Sequence, residues 1–152
     1  MKGLSSILIF LLLCASACTH KETFCSFRSL KESNWHKDSV LRFDVPVTDS
    51  LSALDVLIEI RNTNDYPYKN LWLFVHCTTP SGESRRDTVE CLLADDFGKW
   101  QGKGLSLFEL AIPYEQNIRY PRTGTYSYRI KQAMRDDVLK GISDVGLKVI
   151  RK

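Results

Sequence analysis

LRFDVPV, residues 41–47, places Leu41, Phe43, Val45 and Val47 at every second position, with Arg42 and Asp44 between them. Successive side chains of an extended chain point to opposite faces, so a period of two describes a strand with one buried and one solvated side. After the turn formers Thr48-Asp49-Ser50 the pattern resumes: Leu54, Val56, Ile58 and Ile60 alternate with Asp55, Glu59 and Arg61. A helix would need its apolar residues three or four apart. Each stretch reads as a half-buried strand.

Downstream, the turn-rich NTNDYPYKN, Asn62 to Asn70, leads into LWLFVHCT, residues 71–78, which is apolar on both faces. That predicts a central strand with Trp72 packed in the core. Pro80-Ser81-Gly82 predicts a hairpin into a strand over Arg85 to Leu93. Leu105 to Ile112 reads as a strand ending at Pro113, followed by a short segment Asn117 to Tyr120 and a turn at Pro121 to Gly124. TYSYRIKQ, residues 125–132, alternates again, and Asp144 to Ile150 forms a last strand. Only Ala133 to Gly141 reads as a short helix, stopped by Gly141. Seven or eight short strands without long helices between them predict an all-β fold, a single antiparallel β-sandwich of jelly-roll or immunoglobulin-like type.

Upstream, the apolar run Leu4 to Leu13 is about half the length needed to cross a hydrocarbon core, so it reads as the centre of a signal peptide. It ends in Cys14-Ala15-Ser16-Ala17-Cys18, which resembles the lipobox of bacterial lipoproteins. The resemblance implies cleavage after residue 17 and fatty acyl chains, palmitate among them, on Cys18. Ala15-Ser16-Ala17 also fits an ordinary signal cut that would leave a secreted chain. A cysteine directly after that cut favours lipidation, and two or three acyl chains would hold the protein on a membrane firmly. THKETFCSFRSLKESN, residues 19–34, is polar and without period. The expected organisation is therefore a signal peptide over 1–17, a lipidated tether over 18–34 and the sandwich domain over 35–152.

The 152 residues carry 21 Lys and Arg against 18 Asp and Glu, and 43% hydrophobic residues. Both signs are scattered along the chain, which predicts no nucleic-acid partner. The apolar content suffices for one packed core. Past the leader, Cys25, Cys77 and Cys91 are odd in number. A bridge between Cys77 and Cys91 and a role for both as small buried hydrophobes are both open. His20, His36 and His76 lie far apart with no cysteine or carboxylate at ligand spacing, so no metal site is expected.

ADDFGKWQGKG, residues 94–104, carries a DFG triplet and three glycines. A phosphate-binding loop needs its glycines between a strand and a helix N-terminus. Here they fall between two strands, and no catalytic HRD loop accompanies the DFG, so neither a nucleotide nor any other cofactor is expected. No G-x-S-x-G elbow or cysteine–histidine pairing is signalled, and no catalytic residue is assigned. Within this stretch Trp100, flanked by Lys99 and near Lys103, is either an exposed anchor for a partner or glycan or a plug folded back onto the end of the sandwich. Tyr66 and Tyr68 either present rings to a partner or cover a sheet edge.

DTVECLLADDFGKWQGKG, residues 87–104, resembles the signature of the gliding motility lipoprotein GldH family. Ile60-Arg61-Asn62, Tyr66 to Leu71, Tyr120 to Tyr126 and Met134 to Val149 match in order as well. The resemblance implies a lipid-anchored, non-enzymatic envelope protein of Bacteroidota-type bacteria. Its partners would be the membrane, through lipid on Cys18, and other envelope lipoproteins or components of gliding and type IX secretion. No acidic cluster follows Cys18, which favours the periplasmic face of the outer membrane. The alternative function is an envelope glycan-binding module using Trp100 and the tyrosines.

Overall fold

The structure is a computed structural model that describes residues 21–152. The expected signal peptide and the lipidation site Cys18 lie outside the described residues. Ten strands follow in order: β1 (Lys21–Ser29), β2 (Asn34–His36), β3 (Leu41–Val47), β4 (Leu54–Thr63), β5 (Asn70–Thr78), β6 (Ser84–Leu92), β7 (Leu107–Ile118), β8 (Gly124–Gln132), β9 (Val138–Lys140) and β10 (Ile142–Arg151). They form two four-stranded antiparallel sheets, ordered β1-β10-β4-β7 and β3-β8-β5-β6, and a small ladder of β2 with β9.

The pairing is nested. β1 pairs with β10, β3 with β8, β4 with β7 and β5 with β6, as in one long hairpin whose two arms run from β5 and β6 outward. Further ladders of β10 with β4 and of β8 with β5 join these pairs into two sheets. The period of two explains why the sheets meet. Phe43 and Val45 of β3, Leu73 and Val75 of β5, and Tyr128 and Ile130 of β8 share one hydrophobic cluster with Val56, Ile58 and Ile60 of β4 and Val145, Leu147 and Val149 of β10. Burying one such side chain contributes roughly 1.5–3 kcal/mol, far more than the bonds of any single turn. Trp35 on β2 faces Leu139 on β9, and both are fully buried at one end of this core.

Three expectations change. The polar tether predicted over 18–34 becomes β1 from Lys21 onward, followed by a single 3-10 turn at Lys31–Ser33. An edge strand has only one neighbour and one face to bury, so Phe24 and Leu30 packed on the core suffice and the polar remainder faces water. The helix predicted over Ala133 to Gly141 is absent; Val138–Lys140 is strand, and among the described residues there is no α-helix. Two turns of helix nucleate poorly, and here the Gln132 side chain binds the Met134 N–H and the Asp136 carbonyl, both at 2.8 Å, while Leu139 is held against Trp35. Pro113 does not end its strand, because β7 is an edge strand and its missing N–H leaves no ladder partner unsatisfied.

Register fixes two ends. Lys21, Arg151, Leu54 and Ile118 are aligned at one end of the first sheet, and Thr63 and Leu107 at the other. The connection from β6 to β7 therefore sits at the end opposite the start of β1.

Candidate functional site

The β6–β7 connection, Leu93 to Ser106, is a small ordered structure. Ala94 and Trp100 pair as an isolated antiparallel bridge, and the Gln101 N–H donates to the Leu93 carbonyl at 2.9 Å. At its tip the Asp95 carboxylate accepts from the Phe97 and Lys99 N–H groups, each at 2.9 Å, and Gly98 takes φ +80°, which an L side chain rarely adopts. The DFG triplet is thus a turn tip. Further along, a Cβ on Gly104, at φ +147°, would stand 1.8 Å from the Leu107 carbonyl oxygen, so only glycine fits the return into β7.

The neighbouring β4–β5 connection clamps this loop. The Leu93 and Ala94 N–H groups donate to the Lys69 carbonyl at 2.8 and 3.0 Å, and Lys69 Nζ pairs with Asp96 at 2.8 Å. Trp100 Nε1 donates to Asn64 Oδ1 at 3.0 Å. Its ring lies 6.3 Å from Tyr66 and 5.9 Å from Phe108, packed against the core. Tyr66 is 3% exposed, and its hydroxyl donates to the Asn70 carbonyl at 2.7 Å. Burial pushes that phenol well above its usual range, and the neighbouring Tyr68 adds to the shift.

Trp100, Tyr66 and Tyr68 therefore do come together, in a row whose inner two members close the end of the core. Tyr68, the outer member, is edge-on to Tyr66 at 5.9 Å and donates to Asp136 at 2.8 Å. Lys99 and Lys103 are exposed on the loop. What sequence reasoning missed is what the loop presents. Phe97 is 96% exposed and Leu105 94% exposed, one at the turn tip and one just before β7. A large apolar residue inside a D-x-G turn was the available signal, since a turn tip cannot reach a core. Trp72 also departs from expectation: it is 37% exposed and points outward beside Phe74, while Leu71 and Leu73 face the core. A strand apolar on both faces does not require both to be covered.

At the opposite end, a concavity of about 390 Å3 opens beside Cys77, Arg85, Glu115, Tyr120 and Tyr128. Several of the polar groups in and around it are paired. Arg85 pairs with Glu115 and Asp87, Tyr114 donates to Asp87, and the Tyr120 and Tyr128 hydroxyls are 2.7 Å apart. Burial raises the Tyr120 and Tyr128 phenols and the Cys77 thiol, so all three stay protonated and weakly nucleophilic. Cys91 is buried and pushed up to about 12 by desolvation. The three cysteines are free, with Cys77 and Cys91 six residues apart in ladder register and unable to bridge. No cluster of metal-ligating side chains exists among the described residues.

Residues 22–149 match the family described as GldH lipoprotein, and the chain belongs to that family. It is 35% identical over 156 residues to the gliding motility lipoprotein GldH of Flavobacterium johnsoniae, covering 97% of this chain and 96% of that one. It is 36% identical over 151 residues to a gliding motility lipoprotein GldH homolog of Christiangramia forsetii, covering 94% and 92%. Membership of a lipoprotein family implies anchoring to a membrane of the cell envelope.

Proposed function

We propose that this protein is a non-catalytic interaction component of the envelope, anchored by lipid on Cys18 at the periplasmic face of the outer membrane and serving gliding and type IX secretion. Its body is read as a jelly-roll β-sandwich. The nested pairing of the eight long strands supports that reading over an immunoglobulin-like one, because a rolled hairpin generates this strand order. The observation that carries the function is the exposure of Phe97 and Leu105 on a loop tied down by Asp95, Lys69 and Asn64. An ordered loop that holds two large apolar side chains in water is organised for a partner. Lys99 and Lys103 beside them favour an acidic rim on that partner.

Position supports the same reading. Cys18 stands only three residues before Lys21, where β1 begins. The strands carry the loop roughly 30 Å away from that end. A short link from a lipidated Cys18 to that end of the domain is consistent with a loop that faces away from its own bilayer, toward other envelope proteins. Protonated thiols and phenols and internally paired carboxylates support the absence of catalysis.

Crosslinked pull-down from intact envelopes tests this. Phe97→Ser with Leu105→Ser is expected to remove most of the recovered partner while leaving membrane fractionation unchanged, and Cys18→Ser to release the protein from membranes. Full partner recovery by the loop variant would refute the assignment of the loop.

A further inference from the structure

The outer face of β3-β8-β5-β6 carries a feature unlike the rest of the surface. Arg42 on β3 stands opposite Arg129 on β8, Arg129 opposite His76 on β5, and His76 opposite Arg86 on β6. One register row across the whole sheet is therefore basic, and three strand spacings stretch it over about 14 Å. Like charges directly opposite each other destabilise a ladder. Arg42 is relieved by Asp44, at 3.0 Å. No ion pair with a carboxylate is found for Arg86, Arg129 or Lys131 among the described residues. Arg129 instead donates to His76 Nδ1 at 2.8 Å, which fixes that nitrogen as the acceptor because a guanidinium has none to offer.

The row borders a groove of about 390 Å3 lined by Val40, Phe74, His76, Arg86, Arg129 and Lys131, with no acidic residue in its wall. Phe74, 44% exposed, lies one row further along, opposite Lys131. Trp72 lies two residues further on, opposite Glu90, whose carboxylate is held by the Asn70 amide at 2.7 Å, and there a second concavity of about 290 Å3 is bounded by Tyr68, Met134 and Arg135. Two exposed aromatic rings thus adjoin the cations on a surface that crosses strands and does not extend a sheet edge.

We propose that this face is a binding site for an acidic polysaccharide of the uronate type. Arginine forks take the carboxylates in bidentate fashion, and the flat C–H faces of the sugar rings rest on Phe74 and Trp72. An anionic chain laid along the row supplies Arg86, Arg129 and Lys131 with the carboxylates that the described residues do not. A purely acidic protein segment, with no apolar side chains, would satisfy the cations but leave the aromatic faces unused. The site is separate from the loop proposed above to hold a protein, and either can fail alone.

The test uses the full-length lipidated protein in a neutral detergent, with binding measured to immobilised polygalacturonate, polyglutamate and neutral dextran. Polygalacturonate is expected to bind about tenfold more tightly than polyglutamate, and dextran not at all. Arg86→Ser with Arg129→Ser weakens polygalacturonate binding about tenfold, and Phe74→Ala reduces it to the polyglutamate level. Lys131→Gln, outside the His76 hydrogen bond, weakens it about threefold and reads the same site should the double variant misfold. Equal affinity for the two polyanions, no binding to polygalacturonate, or binding indifferent to these substitutions would each overturn the proposal.

Discussion

The two sheets back onto one core yet treat their outer faces differently. On β1-β10-β4-β7, charge is answered by charge: Arg61 pairs with Glu109 and lies 4.0 Å over the Phe27 ring, and Lys148 pairs with Glu22 at 3.0 Å. Phe27 itself covers Gly146, where an added Cβ would stand 2.8 Å from the ring. On β3-β8-β5-β6, Arg86, Arg129 and Lys131 have no such partners among the described residues, and Trp72 and Phe74 stay open to water. Both faces obey the same alternation, so burial alone does not explain the contrast. A face that satisfies its own groups is finished by folding, whereas a face left with unanswered cations and bare rings is completed by something else.

The largest expected effect separates inside from outside on one strand. Leu73→Ala, deleting a fully buried side chain of β5, is expected to cost about 2–5 kcal/mol in denaturant unfolding, while its neighbour Phe74→Ala costs about 0.5 kcal/mol. Comparable losses would mean that Phe74 is structural and the open face is not open.

A smaller effect separates the two faces. Arg61→Ala removes a half-exposed ion pair and a cation–ring contact, with an expected loss of about 1 kcal/mol, lower at high salt. Arg129→Ala, which takes one cation out of a like-charged row, leaves the midpoint unchanged or slightly raised at low salt. A loss at Arg129 matching that at Arg61 would erase the distinction.

The smallest effect is a pH dependence. Glu59, buried opposite Gly146, has its carboxyl raised by desolvation, with Lys148 opposing and Glu109 adding. The folded state then holds that proton longer than the unfolded chain does, so this group's contribution falls as pH rises from the ordinary carboxylate range through its raised value. Glu59→Gln is accordingly expected to raise the unfolding midpoint at pH 7 and to make no difference in acid. A lower midpoint at pH 7 would mean that the charged carboxylate is a net stabiliser of the closed face.

Much of the fold is legible because burial and strand geometry share a period. Leu41 to Val47 and Leu54 to Ile60 declare their inward faces outright, since polar residues mark the other side. LWLFVHCT does not, since both faces are apolar and only packing chooses Leu71, Leu73 and Val75 over Trp72 and Phe74. THKETFCSFRSLKESN hid its edge strand for the opposite reason, having almost nothing to bury. Of the site, the chain showed that Trp100 and its glycines form a loop between strands; that Trp100 faces inward and Phe97 outward depends on Asn64 and Lys69, which arrive from another connection.

The sequence by itself determined most of the strands and the family, because each is written in residues close together along the chain. Only the tertiary structure decided that Arg42, His76, Arg86 and Arg129 stand in one line. They come from four strands, and the charges looked scattered because cross-strand register is set by long-range pairing. A slip of one residue in any ladder would send one of them to the core.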